Sequence, residues 1–340
     1  MSHKAKFFKL EQWAREYLAK SGALKGLGVD ASFEDAVLDK DNIPQDNNFD
    51  TAGVFIDSKI DKDVLDKLPN IKFIAALSTG FDHIDTDECK KRGIAVSYVP
   101  SYGENTVAEF TFALILNLSR KICFAADRVR ETGSFSLEGL RGFDLKGKTL
   151  GIIGTGRIGR HVVRIAKGFE MDVVAFDVHP DEKFAAELGF KYLPLEELLK
   201  TSDIVTLHVP YMKETHHLIN SDTIKFMKPG AYLINTSRGG IVETDALARA
   251  LKEGRLGGAA LDVLEEEGAV KDELNLLAGG HPEEHNMKTM LENHVLMKMP
   301  NVVITPHNAF NSREALTRIL DATVENIAAY ADGKPINLVP

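Results

Sequence analysis

Three short stretches of the 340-residue chain carry the side chains best suited to chemistry: Asn235-Thr236-Ser237-Arg238-Gly239-Gly240, Leu261-Asp262-Val263-Leu264-Glu265-Glu266-Glu267 and Ile304-Thr305-Pro306-His307-Asn308-Ala309-Phe310. Each lies just past an apolar run of strand character. In an open parallel sheet such positions converge on one edge, where ligands bind. An arginine there can hold a carboxylate in a two-pronged fork. A histidine can exchange a proton near neutral pH, and a glutamate can orient that histidine and favour its cationic form. Arg238, a glutamate of the Glu265-Glu266-Glu267 run and His307 are therefore the parts needed to pass a hydride to a 2-keto acid. Each alone has a plainer reading, as a surface arginine, part of a solvated acidic run, or a hydrogen-bonded histidine near a turn. It is their convergence at three strand ends that points to catalysis.

A hydride needs a carrier, and the stretch from Leu150 to Gly159 provides a place for one. Leu150-Gly151-Ile152-Ile153 reads as a buried strand, Gly154-Thr155-Gly156-Arg157-Ile158-Gly159 as a glycine turn opening a helix, and Met171 to Asp177 as a second strand ending in a carboxylate. Gly154 suits the tight turn, Gly156 lets backbone approach a pyrophosphate, and Gly159 lets helix and strand pack closely. The helix N-terminus offers N–H groups to phosphates. A lone G-x-G-x-x-G is weak evidence, but this one sits between strand and helix with Asp177 placed 18 residues beyond its third glycine. A carboxylate there accepts from ribose hydroxyls and repels a 2′-phosphate, which favours NAD over NADP. The alternative for Asp177 is a cap on the next helix, with Pro180 in its first turn.

The elements that must position these groups follow the same alternation. Apolar runs at Gly53 to Ile56, Ile71 to Leu77 and Ile94 to Tyr98 imply βαβ units and a parallel sheet in the first hundred residues. The loop Ser78 to Asp85 leaves the second of these runs and is either a substrate loop or a connection in which Asp85 caps a helix. Glu104 to Arg120 reads as a long helix too apolar for one exposed face. Arg120 to Lys148 looks like an irregular arm. After Asp177, strands at Asp203 to Leu207, Ala231 to Asn235 and Leu256 to Asp262 alternate with helices at Leu195 to Lys200, Ser221 to Met227 and Thr244 to Glu253, completing a doubly wound domain. A polar stretch from Gly268 to Lys298 precedes a last strand at Val302 to Thr305 and a helix from about Ser312 to Asp332.

Length sets the expectation of about two domains, each with its own core. No apolar run approaches a membrane span of about 20 residues. A net charge of −9 argues against a nucleic-acid surface. The N-terminus lacks the pattern of a secretory signal, so the expected location is cytoplasmic. Cys89 and Cys123 have no metal or redox spacing and read as buried small residues. His281-Pro282-Glu283-Glu284-His285 resembles a metal motif only in its paired histidines; the order is not H-E-x-x-H, and no metal is expected. His216-His217 reads as a helix-end or loop pair.

These spaced motifs, in this order, resemble the D-isomer-specific 2-hydroxyacid dehydrogenases, and within them the D-lactate dehydrogenase branch is the most similar. The resemblance covers nearly the whole chain, through Ser78 to Asp85, Pro100-Ser101-Tyr102, Gly154 to Gly159, Leu207-His208-Val209-Pro210, Thr236 to Gly239, Asp262 to Glu267 and Pro306-His307. It implies an α/β fold of two Rossmann-like or flavodoxin-like parallel-sheet domains. Residues 1–100 with 309–340 would form a discontinuous substrate domain and residues 101–308 an inserted NAD-binding domain. It also implies a homodimer built largely through the cofactor domain and the helix after Tyr102.

Residue by residue, the resemblance makes Arg238 the binder of substrate carboxylate and carbonyl, His307 the acid/base and Glu267 its partner. Ser78, Thr79 and Gly80 would bind the carboxylate through backbone N–H groups, with Tyr102 and Phe310 beside the substrate. Gly154, Gly156, Arg157, Ile158, Gly159, Asp177, Val209, Pro210, Thr215, Thr236, Ser237 and Asp262 would line the NAD site, Asp262 reaching the nicotinamide amide. Phe310 stands where the D-lactate branch usually has tyrosine, which bears on the preference for pyruvate. The expected function is an NAD-dependent D-2-hydroxyacid dehydrogenase acting on pyruvate and D-lactate. The alternatives are a reductase of glyoxylate, hydroxypyruvate or a bulkier 2-keto acid, and an NAD(H)-sensing, corepressor-like binding protein.

Overall fold

The computed structural model describes residues 3–26, 28–267 and 287–339. The chain divides into two compact units, Met1–Tyr102 with Ser312–Pro340, and Gly103–Asn311.

The first unit contains β1 (His3–Phe8), α1 (Gln12–Ser21), α2 (Ala23–Gly26), β2 (Val29–Glu34), β3 (Thr51–Val54), α3 (Lys62–Lys67), β4 (Phe73–Ala76), α4 (Thr86–Lys91) and β5 (Ala95–Ser97). Its sheet has the order β2-β1-β3-β4-β5 with every pairing parallel, the flavodoxin-like arrangement. All residues of β3 and β4 are buried, as expected for strands covered on both faces. Asp61 and Asp85 cap α3 and α4 by accepting from the N–H groups of Val64 and Glu88; each cap contributes about 1 kcal/mol. Asp85 thus has the structural role that was one of its two readings. The apolar runs above omit β1, where Lys4 and Lys6 interrupt the run, and β2, where Val29, Ala31 and Phe33 alternate with polar residues. Lys6 is nonetheless buried, its stem covered while Nζ donates to Asp46 O at 2.7 Å.

The chain returns to this unit in a closing helix, Arg313–Ala331, whose Ser312 cap accepts from Ala315 N–H. Tyr330 stacks on Phe73 with centroids 4.2 Å apart and planes 3° from parallel. Asn326 donates to Tyr98 O at 3.0 Å and Val339 N–H to Val96 O at 2.9 Å. These bonds tie the last segment to the edge of β5.

The second unit contains α5 (Glu104–Arg120), α6 (Ile122–Thr132), β6 (Thr149–Ile153), α7 (Arg157–Gly168), β7 (Asp172–Phe176), α8 (Glu182–Leu188), β8 (Lys191–Tyr192), α9 (Leu195–Thr201), β9 (Ile204–Leu207), β10 (Ala231–Asn235), α10 (Thr244–Lys252), β11 (Leu256–Leu261), α11 (Met287–Met297) and β12 (Val302–Ile304). The closing helix of the first unit is therefore α12. The sheet order is β12-β11-β10-β9-β6-β7-β8, again parallel. Strand order reverses between β6 and β9, and such a switch point is where open parallel sheets bind ligands. Helices α5 and α7 pack together over one face, in a cluster with Phe112, Ile115, Ile152 and Val163.

Several expectations change here. The arm from Arg120 to Lys148 begins with α6, set off from α5 by Lys121 in the left-handed region (φ 52°) and ended by Gly133 (φ 66°). No residue of α6 is buried, and Cys123 within it is exposed, unlike buried Cys89. The helix expected over Ser221 to Met227 shortens to a 3-10 turn at Ile224–Phe226. Residues 287–297 of the polar stretch form α11. Residues 268–286 of that stretch, with His281 to His285, lie outside the described residues. No described helix is long and apolar enough to cross a membrane.

Candidate active site

The glycine turn joins β6 to α7 at the switch point. Gly154 has φ 95°, and a Cβ there would lie 2.5 Å from His208 O across the turn; only glycine fits both demands. A Cβ on Gly159 would strike Gly154 O at 2.1 Å, whereas Gly156 faces open space. Gly156 is also the N-cap of α7, with no side-chain cap and no acidic residue in the first turn. Space for a phosphate and uncompensated helix N–H groups fit a dinucleotide. Arg157 is largely exposed there, 3.9 Å from Glu104, and Ile158 packs against the core beneath.

Asp177, just past β7, is not the cap of α8. That role belongs to Asp181, which accepts from Phe184 N–H. Instead Asp177 Oδ2 accepts from the Thr155 N–H at 2.7 Å and hydroxyl at 2.9 Å, and Oδ1 from His179 N–H at 2.9 Å. Because the Thr155 hydroxyl proton goes to Asp177, the Tyr192 hydroxyl, 2.8 Å away, donates to Thr155. Burial by itself would raise the Asp177 pKa. The N–H groups of His179 and Thr155, with the Thr155 hydroxyl, outweigh it and hold the carboxyl below the ordinary aspartate value. Thr155, His179 and Tyr192 were not singled out from sequence. The only signal was Thr155's position between the first two glycines.

The three strands that carry the expected chemistry are neighbours at one side of the sheet: β10 leads to Arg238, β11 to Glu267, and β12 to His307. Glu267 Oε1 lies 3.2 Å from His307 Nδ1, both side chains about one-fifth exposed. A carboxylate only accepts, so Nδ1 carries the hydrogen and Nε2 is the nitrogen left to exchange a proton. His307 itself sits at φ 54°, a left-handed conformation that costs energy and needs surrounding structure to hold it. Asp262 does the holding. Its carboxylate accepts from the Thr305 hydroxyl and the N–H groups of Asn308 and Ala309, while its carbonyl accepts from His307 N–H at 2.8 Å. Burial pushes its pKa upward, an effect the donors and His307 only partly offset. Both carboxylate oxygens of Asp262, expected at the nicotinamide amide, are thus engaged with the His307 loop. Phe310 meets the His307 ring edge-on at 6.2 Å.

Arg238 is half-buried, with Nη1 donating to Ser237 O at 2.9 Å. The Ser237 hydroxyl donates to Leu207 O, and Thr236 shares a hydrogen bond with Thr111 of α5. Val209 lies against the Gly154 turn, and the Thr215 hydroxyl donates to Pro210 O, closing a tight loop after β9. His208 was not a candidate. Its Nε2 is 2.9 Å from Thr206 Oγ1, but buried Nδ1 has no hydrogen-bond partner among the described residues, and burial pushes its pKa down to about 3. In the other unit, the Ser78 hydroxyl donates to Gly80 O and the Thr79 hydroxyl to Val99 O. These two bonds shape the loop after β4, and Tyr102 ends that segment half-buried. Among the described residues no cluster of three or more metal-ligating side chains occurs.

Comparison with known proteins gives a concordant result. Residues 112–309 match the family described as D-isomer specific 2-hydroxyacid dehydrogenase, NAD binding domain. A glyoxylate reductase of Thermococcus litoralis is 40% identical over 85% of this chain and 83% of its own length. The D-lactate dehydrogenase of Escherichia coli is 34% identical over 96% of both chains. The crystal structure of D-lactate dehydrogenase from Aquifex aeolicus, complexed with NAD and lactic acid, superimposes with a TM-score of 0.84 at 38% identity. It covers 97% of this chain and 96% of that one.

Proposed function

Since this chain belongs to the D-isomer specific 2-hydroxyacid dehydrogenase family, we propose that it reduces pyruvate to D-lactate with NADH and runs the reverse reaction when products accumulate. The observation that carries this reading is the Glu267–His307 pair at 3.2 Å, one strand away from the end of β10 that bears Arg238. The bound dinucleotide supplies or accepts the hydride. His307 gives a proton to the carbonyl oxygen from Nε2 in reduction and takes it back in oxidation. Glu267 keeps the ring in the tautomer that leaves Nε2 for this task. Arg238 holds the substrate carboxylate and polarises the carbonyl with a planar fork. Asp177 receives the adenosine ribose through a carboxylate already fixed by Thr155 and His179.

A second reading, glyoxylate or hydroxypyruvate reduction, is favoured by Phe310, which offers no hydroxyl beside His307, and by the glyoxylate reductases among the relatives. Ranking kcat/KM for pyruvate, glyoxylate, hydroxypyruvate and a bulkier 2-keto acid with NADH separates the two. Pyruvate first supports the main reading, and glyoxylate or hydroxypyruvate first replaces it.

A second copy of the chain is the proposed partner. On and beyond α6 stand Ile122, Phe124, Val129, Phe135 and Leu137, the last two 85% and 83% exposed. An apolar surface of this kind marks an interaction site, and sedimentation should give twice the chain mass. The unpaired cysteines fit a reducing, cytoplasmic setting.

A further inference from the structure

We propose that His217 is a positioning residue for the reaction, acting through Glu265 to hold in register the two turns that carry Arg238 and Glu267. The inference rests on the dehydrogenase reading above. His217 lies 21 residues before Arg238 and 50 before Glu267 in the chain, yet it bonds to both turns. Its N–H donates to Gly240 O at 2.8 Å, two residues past Arg238. Its Nε2 donates to Glu265 Oε1 at 2.6 Å, two residues before Glu267. Its carbonyl accepts from the Asn220 side chain at 2.9 Å.

The far side of the clamp is equally fixed. Glu265 Oε2 accepts from the Thr244 N–H at 2.8 Å and the Thr244 hydroxyl at 2.6 Å, where α10 begins. An anion at a helix N-terminus is stabilised there. Glu265 O accepts from Asn293 of α11 at 2.7 Å. The two turns also touch through backbone, since a Cβ on Gly239 would lie 2.0 Å from Leu264 C and 2.3 Å from Glu265 N. With the backbones in contact, a small movement of either turn changes where Arg238 and Glu267 point. His217 is held at φ 50° and stacks on His216 at 3.8 Å, which in turn meets the Tyr211 hydroxyl through Nδ1. A strained residue with a charged partner in a loop is costly to keep, and setting the geometry of a catalytic pair is a physical reason to keep it.

The test uses the full-length protein, three single variants and the double variant that combines His217→Asn with Glu265→Gln. His217→Asn tolerates the left-handed backbone but falls short of Glu265. Glu265→Gln keeps the side-chain length and loses the charge. His217→Gln keeps an N–H donor within reach. The first two should lower kcat for 2-keto acid reduction about 10- to 100-fold, the loss expected when a catalytic group is misplaced by about 1 Å. The Kd for NADH, followed by fluorescence titration, should stay within about twofold. The double variant should be no slower than the worse single one, because the two side chains act as one unit. His217→Gln should recover most of kcat. A wild-type kcat in His217→Asn, additive losses in the double variant, or losses that follow only a lowered Tm would overturn the inference. Wild-type turnover is the control: without it the dehydrogenase reading fails, whereas an active wild type with an equally active His217→Asn removes only the role of His217.

Discussion

Glu267 faces His307 across 3.2 Å although 40 residues separate them. Their meeting is a product of sheet order, because β11 and β12 are parallel neighbours and both residues follow strand ends. Glu267→Gln keeps an acceptor opposite Nδ1 and removes the charge that steadies the ring as it carries a proton. Steady-state assays should show kcat for keto-acid reduction lowered by about tenfold or more with NADH affinity unchanged. An unaltered kcat would assign the partnership elsewhere.

Asp177 should make the preference for NADH over NADPH insensitive to pH above about pH 7.5, where the 2′-phosphate, whose second ionisation lies at about pH 6, is also fully charged. Its folded-state pKa lies below the ordinary value of 3.8, so the carboxylate is ionised from about pH 5 to about pH 9. Asp177→Ala should narrow the NADH/NADPH ratio of Kd values at every pH in that range. The variant should also lose stability at neutral pH. That difference is present above the unfolded pKa and fades as pH falls through the folded one.

Asp262 is expected to act on His307 rather than alone. Asp262→Asn leaves one acceptor oxygen for three donors, from Thr305, Asn308 and Ala309. An unsatisfied buried donor costs about 1–3 kcal/mol, which urea denaturation should detect, together with a fall in kcat as the His307 turn relaxes. A variant with wild-type stability and wild-type kcat would show that the loop holds its shape without this carboxylate.

His208 should make the fold less stable in mild acid. Burial lowers its pKa from 6.5 to about 3, so the unfolded chain binds the proton first. The stability this maintains is full above pH 6.5 and is lost progressively toward pH 3, with a loss of at most about 2 kcal/mol by pH 5. Thermal melts of wild type and His208→Gln at about pH 7.5 and about pH 5 should show a smaller acid-induced drop in the variant. Equal drops would contradict the assignment.

What was legible in the sequence and what was not divides along physical lines. Parallel βαβ alternation shows as continuous apolar runs between polar helices, so the two-sheet α/β architecture could be read, including the helix at Glu104–Arg120 to the residue. β1 escaped because Lys6 buries its stem inside a strand, and α6 because its short apolar set, Ile122, Phe124 and Val129, sits among Asp127, Arg128 and Arg130 and stays exposed. The glycine turn is a local pattern and was visible as such. The bonds from Thr155 to Asp177 and from His217 to Glu265 span 22 and 48 residues, and nothing local in a sequence encodes contacts of that range.

The most direct measurement is the product balance of the reaction itself. Purified protein, NADH and pyruvate should yield one D-lactate for each NADH oxidised, as read by an enantiomer-specific assay. His307→Asn should retain NADH binding and lose about 100-fold or more of kcat. Tight NADH binding with no turnover of any 2-keto acid, or formation of L-lactate, would contradict the proposal.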